Sequence, residues 1–198
     1  MASTLLSRAP LDALQSRYGE PWRHYHVWAH PMAMLGHLAV AQADGVGLAD
    51  PDAAVGFVLW HDAIYDPQAG GGRNERLSAV LCRAEMAAIA EPRSVDRAIR
   101  AIEATIAHRL PDGDCPDAAL LLDIDLAILG ADDAGFDAYD AAIRREYSYV
   151  PEADYRAARA DILARFLDRE RLYMTPWAQQ RWAARARANL SRAIARLR

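Results

Sequence analysis

The chain contains no lysine: all 23 of its basic residues are arginine. That absence excludes a Schiff-base lysine, a pyridoxal-phosphate lysine and a phosphate-binding loop ending in Lys-Ser/Thr. A GC-rich coding bias is the plain explanation. Cysteine is nearly as scarce. Cys82 and Cys115 have no metal-ligand spacing and are too few for a disulfide framework, so both read as free thiols. No apolar stretch approaches the roughly 18 residues that cross a bilayer, so no membrane is expected as a partner. The opening MASTLLSRAPLDAL lacks a charged start, a long apolar run and a cleavage site, which makes a cytoplasmic location the default expectation. Carboxylates are missing from residues 171–198, which carry seven of the 23 arginines and leave 16 against 27 acids in the rest of the chain. A basic terminal helix lying against an acidic body is the expectation, with a separate anion-binding tail as its alternative. The net charge of −4 argues against stable nucleic-acid binding.

What is abundant is apolar side chain, 53% of 198 residues, which suits one domain, 1–198, with a substantial core. Much of it is alanine, a strong helix former. The punctuation predicts helix after helix. One runs from about Thr4 to Tyr18, before Gly19-Glu20-Pro21. An aromatic and histidine-rich segment, residues 22–28, follows. Pro31 suits the first turn of a helix to about Asp44, and Asp50-Pro51 starts the helix containing FVLWHDAIY. After Gly70-Gly71-Gly72, Asn74 is the expected cap of a helix to about Ala90. Ser94 opens another that ends near His108. Pro116-Asp117 starts ALLLDIDLAIL, with Gly130 as its C-terminal cap. Helices over about 132–147, 152–170 and 176–197 complete the chain. No segment alternates like a strand. The expected fold is an all-α bundle of about eight to nine helices, with the helices of about 132–197 set on a metal-binding core.

Six histidines, at 24, 26, 30, 37, 61 and 108, supply candidate metal ligands. His61 and Asp62 are consecutive, and a metal lying between their directions reaches both. In a continuous helix their neighbours are largely apolar, and a carboxylate there must be paired or coordinated. Asp125 is set among Leu121, Leu122, Ile128 and Leu129 and poses the same problem. Asp123 points to the opposite side and reads as a surface or salt-bridge residue.

The series RHYHVWAHPMAML, LWHDAIYDP, NERLSA, IEATIAH, LLDIDLAILG and AIRREYSYV covers nearly the whole chain. It resembles the H…HD…D pattern of the HD-domain metal-dependent phosphohydrolase superfamily, in the bacterial branch of predicted metal-dependent HD phosphohydrolases. The resemblance implies an HD-type helical domain. It also implies a divalent ion (manganese, magnesium, zinc, nickel or iron) held by His30, His61, Asp62 and Asp125. The activity it implies is hydrolysis of a phosphate ester or anhydride of a small molecule, nucleotides among them, by a metal-activated water. Two imidazoles and two carboxylates leave open positions on an octahedral ion, which favours a catalytic over a closed structural site.

The remaining candidates each have two readings. The alarmone-hydrolysing relatives carry an acidic couple three and four residues after the pair. Here those positions are Tyr65 and Asp66, so only the second acid of the couple is present, and Asp66, one helical turn from Asp62, is a candidate to orient or deprotonate the water. Glu75 is either a first-turn acid favoured by the helix dipole or a second proton handler. His26 is a site-lining or a packed loop residue, and His108 contacts phosphate or a second metal, or simply suits a helix end. Arg144 and Arg159 each either clamp a phosphate or, as the more ordinary role, join a salt bridge. His24 reads as surface, His37 as structural, and Trp22, Trp28 and Trp60 as core. The expected partner is a small phosphorylated substrate, with homo-oligomerisation left open. Two alternatives are a di-iron HD oxygenase and a noncatalytic ligand-sensing metal-binding domain.

Overall fold

Proline and side-chain caps decide where several of these helices begin. Pro51 and Pro176 fill first-turn positions behind Asp50 and Thr175, whose side chains accept hydrogen bonds from the Ala53 and Ala178 amides. Asp132 does the same for the Gly135 amide. The computed structural model describes residues 5–198. Among them are nine α-helices and no strand: α1 Leu11–Tyr18, α2 Ala29–Ala43, α3 Pro51–Trp60, α4 Arg73–Met86, α5 Pro92–Ala104, α6 Ala118–Asp125, α7 Asp133–Glu146, α8 Glu152–Leu167 and α9 Pro176–Leu197. The all-helical expectation holds.

The chain divides into two compact units, residues 1–122 and 123–198. In the first, α3 is the central element. It is buried from Ala53 to Trp60 and touches α2, α4 and α5. Helix α5 turns Val95, Ala98, Ile99 and Ile102 inward at helical spacing. A helix buried on all sides delivers its C-terminal end to the interior, so His61, the residue after Trp60, is only 2% exposed.

In the second unit α9 touches α8 and the short 3-10 turn Leu126–Gly130. The Asn189 amide group donates to the Leu129 and Ala131 carbonyls at 2.9 and 3.0 Å. Arg192 pairs with Asp133 and Asp137 of α7, and Arg196 with Asp137. The lysine-free basic helix therefore meets acids of its own unit rather than forming a separate tail.

Several boundaries differ from the sequence expectation. The expected start near Thr4 lies outside the described residues. Pro10 separates a 3-10 turn, Leu5–Ser7, from α1. Helix α4 is preceded by Gly72 in the left-handed conformation (φ 72°), so Asn74 sits inside the helix rather than capping it. Ser94 is likewise inside α5, where its hydroxyl donates to Asp50. The largest difference is that α3 stops at Trp60, and His61 and Asp62 lie at its end rather than in mid-helix.

Candidate metal centre

The backbone that follows α3 is held by side chains instead of a helical ladder. Arg23 donates to the carbonyls of Asp62 (2.7 Å) and Ala63 (3.2 Å). The Ser78 hydroxyl accepts from the Ile64 amide and donates to the Ile64 carbonyl. The Trp22 indole N–H takes the Tyr65 carbonyl at 2.8 Å. Asn74 accepts from the Asp66 amide and donates to the Asp66 carbonyl. Polar backbone groups that a helix would have paired internally are thus satisfied from outside, which a sharp turn in a buried place requires.

That turn brings three ligating atoms together. The Nε2 atoms of His30 and His61 are 3.1 Å apart, and Asp62 Oδ2 lies 3.0 Å from His61 Nε2 and 3.8 Å from His30 Nε2. All three lie within 4.8 Å of one another. An octahedral ion with bonds of about 2.1 Å sets neighbouring ligand atoms about 3 Å apart, so the spacing fits a divalent cation. The outward nitrogens fit as well. His61 Nδ1 donates to the Val58 carbonyl at 3.1 Å, which leaves an Nε2 lone pair facing the group, and His30 Nδ1 lies 3.3 Å from the Tyr25 hydroxyl. Oriented imidazoles of this kind are the usual support of metal-ligating histidine.

Both histidines are buried, and His61 stacks on Phe57 with ring centroids 5.2 Å apart. The Asp62 side chain keeps 18% of its surface, the open edge of the group. Burial pushes the Asp62 pKa up, but the positive charges that the His61 and His26 rings carry when protonated, the hydrogen bond that protonated His61 gives, and the charge of protonated His30 outweigh it. The carboxyl stays well below its ordinary range and is ionised at neutral pH.

His26 stands beside the group. Its Nε2 is 4.0 Å from Asp62 Oδ2, and its ring stacks on Tyr65 at 4.2 Å. The other candidates are placed differently. Asp66 is exposed and its Oδ1 accepts from the Gln68 amide, so it shapes the loop, and with α3 ended it is not one helical turn from Asp62. Glu75 is half-buried in the first turn of α4. His108 follows the end of α5, half-buried, with φ at 45°. His37 is half-buried on α2 and His24 is exposed. Arg144 is engaged by Glu152, the Tyr147 and Val150 carbonyls and the Tyr155 ring, which makes it a clamp between α7 and α8. Arg159 pairs with Asp140.

Asp125 ends α6, half-buried, in the second unit. Asp123 is a correction. It is buried, and it accepts from the Met174 and Thr175 amides and the Thr175 hydroxyl, all at 2.7 Å, just ahead of α9. Trp22 is a second correction, being 45% exposed where a core residue was expected; Trp60 is fully buried as expected. Tyr25 and Arg23 were missed. The one signal for Arg23 was a lone cation inside an otherwise aromatic segment.

No family model, no curated protein and no solved structure matches this chain.

Proposed function

We propose that the chain is a metal-dependent phosphohydrolase of the HD type, acting on a phosphate ester or anhydride of a small molecule, with nucleotides among the candidates. The observation that supports it is the convergence of His30 Nε2, His61 Nε2 and Asp62 Oδ2 on one point. A divalent cation there supplies Lewis acidity, lowering the pKa of water from about 16 toward ~7 and neutralising charge on a phosphoryl oxygen. The chain's own residues prepare the place. Val58 fixes the His61 tautomer, Tyr25 steadies His30, and Asp62 contributes the negative charge. His26 and Tyr65 wall the Asp62 side, where a phosphorylated substrate approaches. The resemblance adds Asp125 as a fourth ligand. With Asp66 committed to its loop, Glu75 is the acid to test first as proton handler.

The test is metal analysis of purified protein followed by a phosphate-release screen over phosphate esters and nucleotides. Outer-shell partners alone are worth about 10–100-fold in affinity or activity, so removing a ligand loses at least that much. His61→Ala and Asp62→Ala should lose cation and turnover together while circular dichroism stays helical. Fully metallated protein that is inert across the panel would defeat the proposal. Two cation equivalents with iron-dependent oxygen uptake would point to the oxygenase alternative, for which His26 is the natural extra ligand. Tight ligand binding without turnover would point to a sensor.

A further inference from the structure

The two arms of the metal group come from distant stretches of chain. His30 opens α2, whose lead-in is the segment 22–28, and the His61-Asp62 pair follows α3. One guanidinium spans both. Arg23 makes four hydrogen bonds: to Glu20 Oε2 at 2.9 Å, the His26 carbonyl at 3.1 Å, the Asp62 carbonyl at 2.7 Å and the Ala63 carbonyl at 3.2 Å. Its side chain is fully buried, with the Tyr18 and Tyr65 rings 5.2 and 5.3 Å from the guanidinium carbon. A second tie lies next to it in sequence, from the Trp22 indole N–H to the Tyr65 carbonyl.

We propose that Trp22 and Arg23 form a clasp that sets the distance between His30 and the His61-Asp62 pair, with Arg23 as a positioning residue for the cation. The proposal rests on the cation site described under Proposed function. The His26 carbonyl belongs to the stretch whose next residue, Val27, accepts from the His30 amide at 2.8 Å. Any sliding of one arm against the other must therefore pull a carbonyl off a buried guanidinium, and an unsatisfied buried carbonyl or charge is expensive. The planar fork matters. Lysine offers three donors from a single nitrogen and cannot serve Glu20, His26, Asp62 and Ala63 together. An arginine holding only the fold would affect stability and leave cation affinity alone. A clasp affects affinity and ligand geometry directly.

The experiment titrates Co²⁺ into the full chain and into Arg23→Lys, Trp22→Phe and Arg159→Met. Affinity is read by calorimetry, ligand geometry by the visible Co²⁺ spectrum, and fold by the melting temperature of the metal-free protein. Arg159→Met is the control for losing a buried, ion-paired arginine of the other unit. Arg23→Lys should weaken Co²⁺ about 10–100-fold, the range for lost outer-shell support, and should alter the spectrum. Trp22→Phe, at an exposed ring whose loss leaves the core intact, should weaken binding by less and in the same direction. Arg159→Met should melt lower with unchanged affinity. Co²⁺ binding within about threefold of the unmutated chain in folded Arg23→Lys, a change well below the outer-shell range, overturns the clasp. Should Arg23→Lys not fold, the same result in Trp22→Phe overturns it. Failure of the unmutated chain to bind Co²⁺ defeats the cation site and the clasp together. Binding that is equal in the folded variants defeats the clasp alone.

Discussion

Asp50 caps the end of α3 opposite to His61, and it is held by the Ala53 amide at 3.0 Å, the Ser94 hydroxyl at 3.0 Å and the Arg97 guanidinium at 2.9 Å. Burial raises its pKa, but the hydrogen bonds from Ala53, Arg97 and Ser94 and the charge of Arg97 outweigh that and leave it below the ordinary value. A depressed carboxyl contributes stability above its unfolded pKa of about 3.9 and loses it as pH falls through the lower folded value. Asp50→Asn keeps a capping oxygen but loses the charge that Arg97 reads. It should be less stable than the parent at pH 7 by about 1.5–3 kcal/mol, the range for a hydrogen bond to a charged group. In urea melts the gap should begin to close as the pH drops below about 4, where the carboxyl of the unfolded parent protonates, and vanish once the pH has passed the lower folded value. A gap constant from pH 7 to 3 would show that the charge is not what holds α3. The same scale separates what was legible from what was not. His61 and Asp62 stood out because an imidazole and a carboxylate among Phe57, Val58 and Leu59 need partners. Asp123 did not, because the amides it holds belong to Met174 and Thr175, and no local pattern reports a partner some fifty residues on.

Among the elements, starts marked by a capping side chain were readable, the starts of α1, α4 and α5 were misplaced, and one critical end was not readable. Asp50-Pro51, Asp132 and Thr175-Pro176 are local signals, and each opens a helix in the structure. The apolar run FVLWHDAIY contains no glycine or proline to end α3. What ends it is Arg23, Ser78, Trp22 and Asn74 taking over the backbone of residues 62–66, and these partners come from other parts of the chain. The convergence of His30 with the pair depends on that turn. Two glycines mark where helices meet, and they should respond differently to a methyl group. A Cβ on Gly56 would meet the Met86 sulfur at 2.5 Å and its methyl at 2.7 Å, both at the end of a flexible side chain, and the Ala98 Cβ at 3.2 Å, a tight contact that a shift of a few tenths of an ångström relieves. Replacing a helical glycine by alanine gains about 1 kcal/mol of propensity, so Gly56→Ala should be near neutral once Met86 moves. A Cβ on Gly130 would lie 2.5 Å from the Trp182 Cβ, 2.9 Å from its carbonyl oxygen and 3.0 Å from its Cα. None of these atoms can swing away, so Gly130→Ala should cost about 1–3 kcal/mol or more. Gly130 was expected as a C-terminal cap; it is the last residue of the 3-10 turn, and its lack of a side chain permits this approach. Equal denaturant midpoints for the two variants would refute the distinction.

For the molecule as a whole, the two compact units divide the chemistry unevenly. His30, His61 and Asp62 all fall within residues 1–122, as do the side chains that shape their turn. A cation bound there stabilises the folded state by mass action, about 2.7 kcal/mol at one hundred times its dissociation constant, provided the unfolded chain does not bind it. That stabilisation belongs first to the structure carrying the ligands. Hydrogen exchange with and without Mn²⁺ should therefore slow most across residues 22–30 and 58–66, and Asp62→Ala should abolish the effect. The second unit is the informative comparison. Ligation by Asp125, as the resemblance implies, requires protection to appear also around residues 124–126 and to vanish in Asp125→Ala, with weaker Mn²⁺ binding. Slowing confined to residues 1–122, together with an unchanged affinity in Asp125→Ala, would reduce the protein's ligand set to the three side chains that already converge. Uniform slowing that persists in Asp62→Ala would place the ion elsewhere and remove the basis for a hydrolytic centre at the His61-Asp62 turn.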